Sequence, residues 1–71
     1  MATVIATATL GGYELRAVAQ SRRDEGVGLQ QREFGAARFT TKTKVSRAAW
    51  DKVAATADTA GTVFYLLGMP R

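Results

Sequence analysis

The 71-residue sequence has no cysteine and no histidine. The first absence excludes disulfides and thiolate metal sites. The second removes both the commonest transition-metal ligand and the commonest general base. Neither a metal nor a cofactor is therefore expected. No glycine pattern matches a phosphate-binding loop or a dinucleotide fingerprint, since GVG and GG are each too short to carry that meaning. The carboxylates are Glu14, Asp24, Glu25, Glu33, Asp51 and Asp58. Asp24 and Glu25 are adjacent in a polar stretch, and Asp51 and Asp58 stand two helical turns apart, so no pair is poised for acid–base work. A non-enzymatic protein is expected.

Charge is absent before Glu14, so no basic segment precedes the first apolar run, and Thr3, Thr7 and Thr9 interrupt that run. This argues against an export signal. No segment approaches the roughly 20 apolar residues that span a bilayer. The expectation is a cytoplasmic protein without a membrane partner. Acidic residues are missing between Glu33 and Asp51, a gap that holds Arg38, Lys42, Lys44 and Arg47. Proline occurs once, at Pro70, where it closes the last element or begins a frayed tail.

What is present belongs to a folded chain: 46% hydrophobic and 23% charged residues, with a net charge of +4. The length suits one compact domain over residues 1–71. A domain this small buries only about 60% of the surface its unfolded chain exposes. With disulfides and thiolate or histidine metal sites excluded, its stability must come from an unusually good core or from self-association, and a homodimer is the simplest form. Alanine, arginine, threonine and glycine are abundant while lysine is sparse, which suggests a high-GC genome, or a phage or mobile element living in one.

The clearest unit is TVIATATLGGYELRAVAQ, residues 3–20. Gly11-Gly12 can supply the two positive φ angles of a primed turn, which predicts a hairpin. That turn sets Leu10 opposite Tyr13, Ala8 opposite Leu15, Ala6 opposite Ala17 and Val4 opposite Ala19, all apolar. The other face then pairs Thr9 with Glu14, Thr7 with Arg16, Ile5 with Val18 and Thr3 with Gln20. SRRDEG, residues 21–26, reads as a connecting turn. VGLQQREF (27–34) and RFTTKTKV (38–45) read as a second hairpin, or as one long strand kinked at Gly35; the hairpin is preferred. Alternation in the second segment puts Phe39, Thr41, Thr43 and Val45 on one face and Arg38, Thr40, Lys42 and Lys44 on the other.

Ser46 is placed to cap a helix over about 46–60, with Val45 and Trp50 as a hydrophobic staple. Trp50, Val53, Ala54 and Ala57 form its apolar stripe, and Gly61 ends it. TVFYLL, residues 62–67, is β-branched and aromatic and predicts a last strand. The expected fold is therefore α+β: a small, mostly antiparallel sheet of four to five strands, in the order ββ-ββ-α-β, with one helix packed on one face.

Two functions follow as expectations. The first is nucleic-acid binding, as a DNA-binding accessory protein, through Arg32, Arg38, Lys42, Lys44 and Arg47. These would form a basic stripe along one strand and the start of the helix. Its bland counterpart is that these cations only keep a sheet face soluble. The second is a protein-interaction or homo-oligomeric module. One helix covers one face, so Ile5, Val18 and Phe64 would form an uncovered apolar interface.

The segment TKTKVSRAAW, with its lysine-containing strand, serine cap and early helical tryptophan, resembles the positive-cofactor-four type of single-stranded-DNA-binding domain. That resemblance implies an antiparallel sheet, a dimerisation helix and a nucleic-acid partner. The sequence departs from the pattern by continuing into TVFYLL.

Overall fold

The computed structural model describes residues 2–19 and 26–71. Its fold is α+β, one open sheet of four antiparallel strands in the order β1-β2-β3-β4, followed by two helices. The strands are β1 (Thr3–Leu10), β2 (Tyr13–Ala19), β3 (Val27–Glu33) and β4 (Thr40–Val45). The helices are α1 (Arg47–Thr56) and α2 (Ala60–Leu66). The connecting turn expected at 21–26 lies, apart from Gly26, outside the described residues.

The first hairpin forms as the glycine pair predicts. Gly11 and Gly12 have φ of 57° and 83°, the positive values a two-residue primed turn needs. Pairing runs from Leu10–Tyr13 to Ala6–Ala17 in the expected register. There a bulge intervenes: Ile5 has no partner, Val4 pairs with Val18, and Thr3 pairs with Ala19. The expected Val4–Ala19, Ile5–Val18 and Thr3–Gln20 pairs are thereby replaced. The bulge turns Ile5 towards the helices, where it packs against the core beside Ala6, and leaves Val4 exposed. Burying the larger of two neighbouring aliphatic side chains is the gain that the extra residue secures.

Residues 27–45 form the second hairpin, with β3 and β4 antiparallel. Gly26, at φ 77°, enters it: a Cβ there would lie 2.6 Å from the carbonyl oxygen of Val45, so only glycine fits without backbone movement. A second bulge falls in β4, where Leu29 pairs with Thr43 and Gln30 with Thr41, leaving Lys42 unpaired.

Ser46 caps α1, its Oγ accepting from the Ala49 N–H at 3.0 Å. The helix ends at Thr56, earlier than expected, and Ala54 is exposed rather than part of the stripe. The chain then forms α2 where a strand was expected. The correction has a plain physical cause. Ala60, Val63, Phe64 and Leu67 are spaced i, i+3, i+4, i+7 and all pack into the core, while Thr59 caps the helix by accepting from the Thr62 N–H. Gly61 does not terminate a helix; it lies in the first turn of α2 and backs onto Leu10.

The core sits between the helices and one face of the sheet. Leu15 and Ala17 of β2, Val27 and Leu29 of β3, Trp50, Val63, Phe64 and Met69 form one buried cluster. Trp50 and Phe64 meet edge-to-face with centroids 5.7 Å apart. The helices cover one face only. The opposite face, which carries Thr7, Thr9, Glu14, Arg16, Gln30 and Arg32, has no described element packed over it. Among the described residues no helix is long and apolar enough to cross a membrane.

Candidate nucleic-acid interface

Strand alternation alone would put Arg38, Lys42 and Lys44 in one row. The bulge at Lys42 divides that row. Lys44 pairs with Gly28 and stands on the open face, whereas Lys42 borders a hollow at the end of β3 and β4. This hollow, about 270 Å³, is open to solvent and is lined by Tyr13, Gln31, Arg38, Thr40, Lys42 and Arg71, together with Arg32, Glu33 and Ala36. Thr40 thus lies on the helix side and Thr41 on the open side, the reverse of what unbroken alternation gives for Thr41.

Arg71 is the member of this group that sequence spacing could not supply. It is held by Gln31, whose buried amide makes two hydrogen bonds to the Arg71 backbone: Nε2 donates to the carbonyl and Oε1 accepts from the N–H, both at 2.7 Å. Gln31 is the one buried polar side chain among the described residues, and both ends of its amide are satisfied. The visible signal was a glutamine at an inward-facing strand position. A buried amide requires a partner, but the sequence does not say which one.

The five cations named from the sequence fall into two groups. Arg38, Lys42 and Lys44 are exposed and appear in none of the ion pairs of the described residues. Arg32 and Arg47 each face an acid. Arg32 Nε donates to the Glu14 carboxylate across β2 and β3, and the Arg47–Asp51 pair spans one helical turn at 3.5 Å. Their charge is therefore largely compensated at the surface.

Phe39 occupies a place that alternation does not anticipate. The β4 bulge turns the preceding chain over the open face, so Phe39 packs there against two guanidinium groups, not in the core. Arg16 lies 4.0 Å and Arg32 4.4 Å from its ring centroid. Arg16 in turn donates to Gln30 Oε1, and Gln30 Nε2 donates to Thr41 Oγ1 at 3.0 Å. The ring, the two arginines and this hydrogen-bonded chain across β2, β3 and β4 fix the loop before β4. That fixes the start of the strand carrying Lys42 and Lys44.

The structure does not bring Ile5, Val18 and Phe64 together on one exposed face. Phe64 is fully buried in the core, because its segment is α2 and not a strand. Ile5 is half-buried against the core, and Val18, although on the open face, is only 8% exposed. The large apolar side chains that do stand exposed are Val4, Phe34, Tyr65 and Leu66.

No family model, curated protein or solved structure matches this chain. The likeness of TKTKVSRAAW to a single-stranded-DNA-binding domain therefore remains that of a short segment.

Proposed function

We propose that this protein is a non-enzymatic nucleic-acid-binding module that contacts the phosphate backbone with Arg38, Lys42, Lys44 and Arg71. The observation that carries the reading is the contrast in pairing. Arg32 and Arg47 are matched with acids, whereas Arg38, Lys42 and Arg71 line one solvent-open hollow with the hydroxyl-bearing Thr40, and Lys44 stands on the open face two residues beyond the bulged Lys42. Glu33 is the one acidic side chain on that lining. Such an arrangement suits an anion that threads past a strand edge. It offers backbone contacts and little means of reading bases, so binding is expected to be tolerant of sequence and sensitive to salt. The mechanism is displacement of counterions from the nucleic acid by these four cations, with no covalent step.

The test is fluorescence anisotropy with short single- and double-stranded oligonucleotides at low salt. The expected result is saturable binding that weakens across all sequences in the Lys42→Glu, Lys44→Glu double variant. Absence of binding to either form at low salt would defeat the proposal.

A further inference from the structure

The geometry points to β1 as the interface of a homodimer, in which the β1 strands of two copies pair antiparallel and join two four-stranded sheets into one. This inference is independent of the nucleic-acid reading. It uses the opposite edge of the sheet.

β1 is an edge strand with no described neighbour beyond it. Its eight residues, TVIATATL, contain no ionisable group and no proline. Exposed edges are prone to pair with a further strand unless they are protected by charge, by proline, by a bulge or by a covering element, and in β1 the bulge lies at one end and leaves Ala6–Leu10 unprotected. Only the bulge at Ile5 interrupts β1, and Ala6–Leu10 runs in regular register. The two-residue turn makes Leu10–Tyr13 a bonded pair, so in the alternation that follows the N–H and C=O groups of Thr9 and Thr7 point away from β2. Those groups are a ready template for a further strand.

Charge selects the occupant. Each chain carries +4 overall, yet two β1 strands meet without a single like-charge contact along the strand. The opposite edge rejects the same arrangement, since β4 carries Lys42 and Lys44 and is bulged at Lys42. Pairing of β1 with β4 would be head-to-tail, giving a ring or an open assembly and setting the bulged, lysine-bearing edge in the interface, whereas β1 with β1 closes as a two-fold dimer. Across that axis the open-face threonines Thr7 and Thr9 meet threonines, a favourable cross-strand pairing. Val4 on the strand adds exposed apolar surface to the open-face side of this edge.

Sedimentation or light scattering across a dilution series, paired with amide hydrogen exchange, tests the inference. The wild-type chain is expected at twice its 7.6 kDa mass, with protection of the Thr7 and Thr9 amides lost on dilution. Thr7→Pro removes an outward donor without touching the bonds to β2, so a folded monomer is expected by circular dichroism and mass. If that variant unfolds, Thr7→Lys with Thr9→Lys serves instead and is expected to give a folded monomer. Lys42→Glu with Lys44→Glu should remain dimeric. A wild-type monomer whose Thr7 and Thr9 amides exchange freely at every concentration overturns the inference and leaves the edge to some other extended chain. A dimer that survives either β1 change, or that is lost on changing β4, overturns it as well.

Discussion

The two edges of this sheet differ in almost every respect that matters for recognition. β1 is eight residues long and uncharged, and it has α2 packed against it. β4 is six residues long, carries two lysines, is broken by a bulge at one of them, and leads directly into the N-cap of α1. A bulge in an edge strand usually blunts it against further pairing, and lysine does the same. In β4 both devices are present, and both also set cations at the surface. The difference teaches that the two edges suit different partners. On the proposed reading, a strand whose lysines repel its own copy serves a polyanion, and a strand without charge serves its copy.

The strongest way to break the comparison is to remove what holds both edges in place. Phe64→Ala should destabilise the fold by about 3–5 kcal/mol, measured by urea unfolding, because the ring is fully buried against Trp50. In so small a domain this approaches the whole stability. Had the residue stood on an uncovered strand face, the same change would have altered association and left stability nearly untouched.

Next in size is the Lys42→Glu, Lys44→Glu change, which addresses β4 alone. Affinity for oligonucleotides at low salt should fall by about tenfold or more, since two phosphate contacts become two repulsions. Unfolding midpoints should stay near the wild-type value, as both side chains are exposed. Loss of the α1 cap is smaller and acts through the junction behind β4: Ser46→Ala should cost about 1 kcal/mol by the same unfolding measurement. The smallest effect sharpens the division between paired and free cations. Glu14→Gln releases Arg32 from a half-exposed ion pair, so stability should fall by less than about 1 kcal/mol. Oligonucleotide affinity should rise slightly, because one more arginine becomes available on the open face.

Local signals carried much of this fold. The glycine pair set the first hairpin and its register as far as Ala6, and Ser46 marked the start of α1. Periodicity failed at two kinds of place. AGTVFYL is apolar nearly throughout, and a short apolar run reads equally well as a buried strand or a helix. The helical spacing of Ala60, Val63, Phe64 and Leu67, with Thr59 as cap, was the deciding signal. It was obscured because β-branched and aromatic residues dominate the run. The bulges at Ile5 and Lys42 were not legible either, because neither is marked by glycine and each depends on packing between strands. Their consequences were large for the site. One bulge took Ile5 out of the expected interface. The other separated Lys42 from Lys44 and moved Phe39 to the open face. Arg71 joins through Gln31, a contact between residues 40 positions apart that no local pattern announces.

The central claim is that the cations on the β4 side, and not the total charge of the chain, bind nucleic acid. Anisotropy titrations of wild-type and Lys42→Glu, Lys44→Glu protein against one labelled single strand, repeated over a range of salt concentrations, test it most directly. With four phosphate contacts the account predicts a log–log salt slope of about −3 for the wild type and one reduced by about half for the variant. Undetectable binding at low salt, or equal affinity and equal slope for the two proteins, would contradict it.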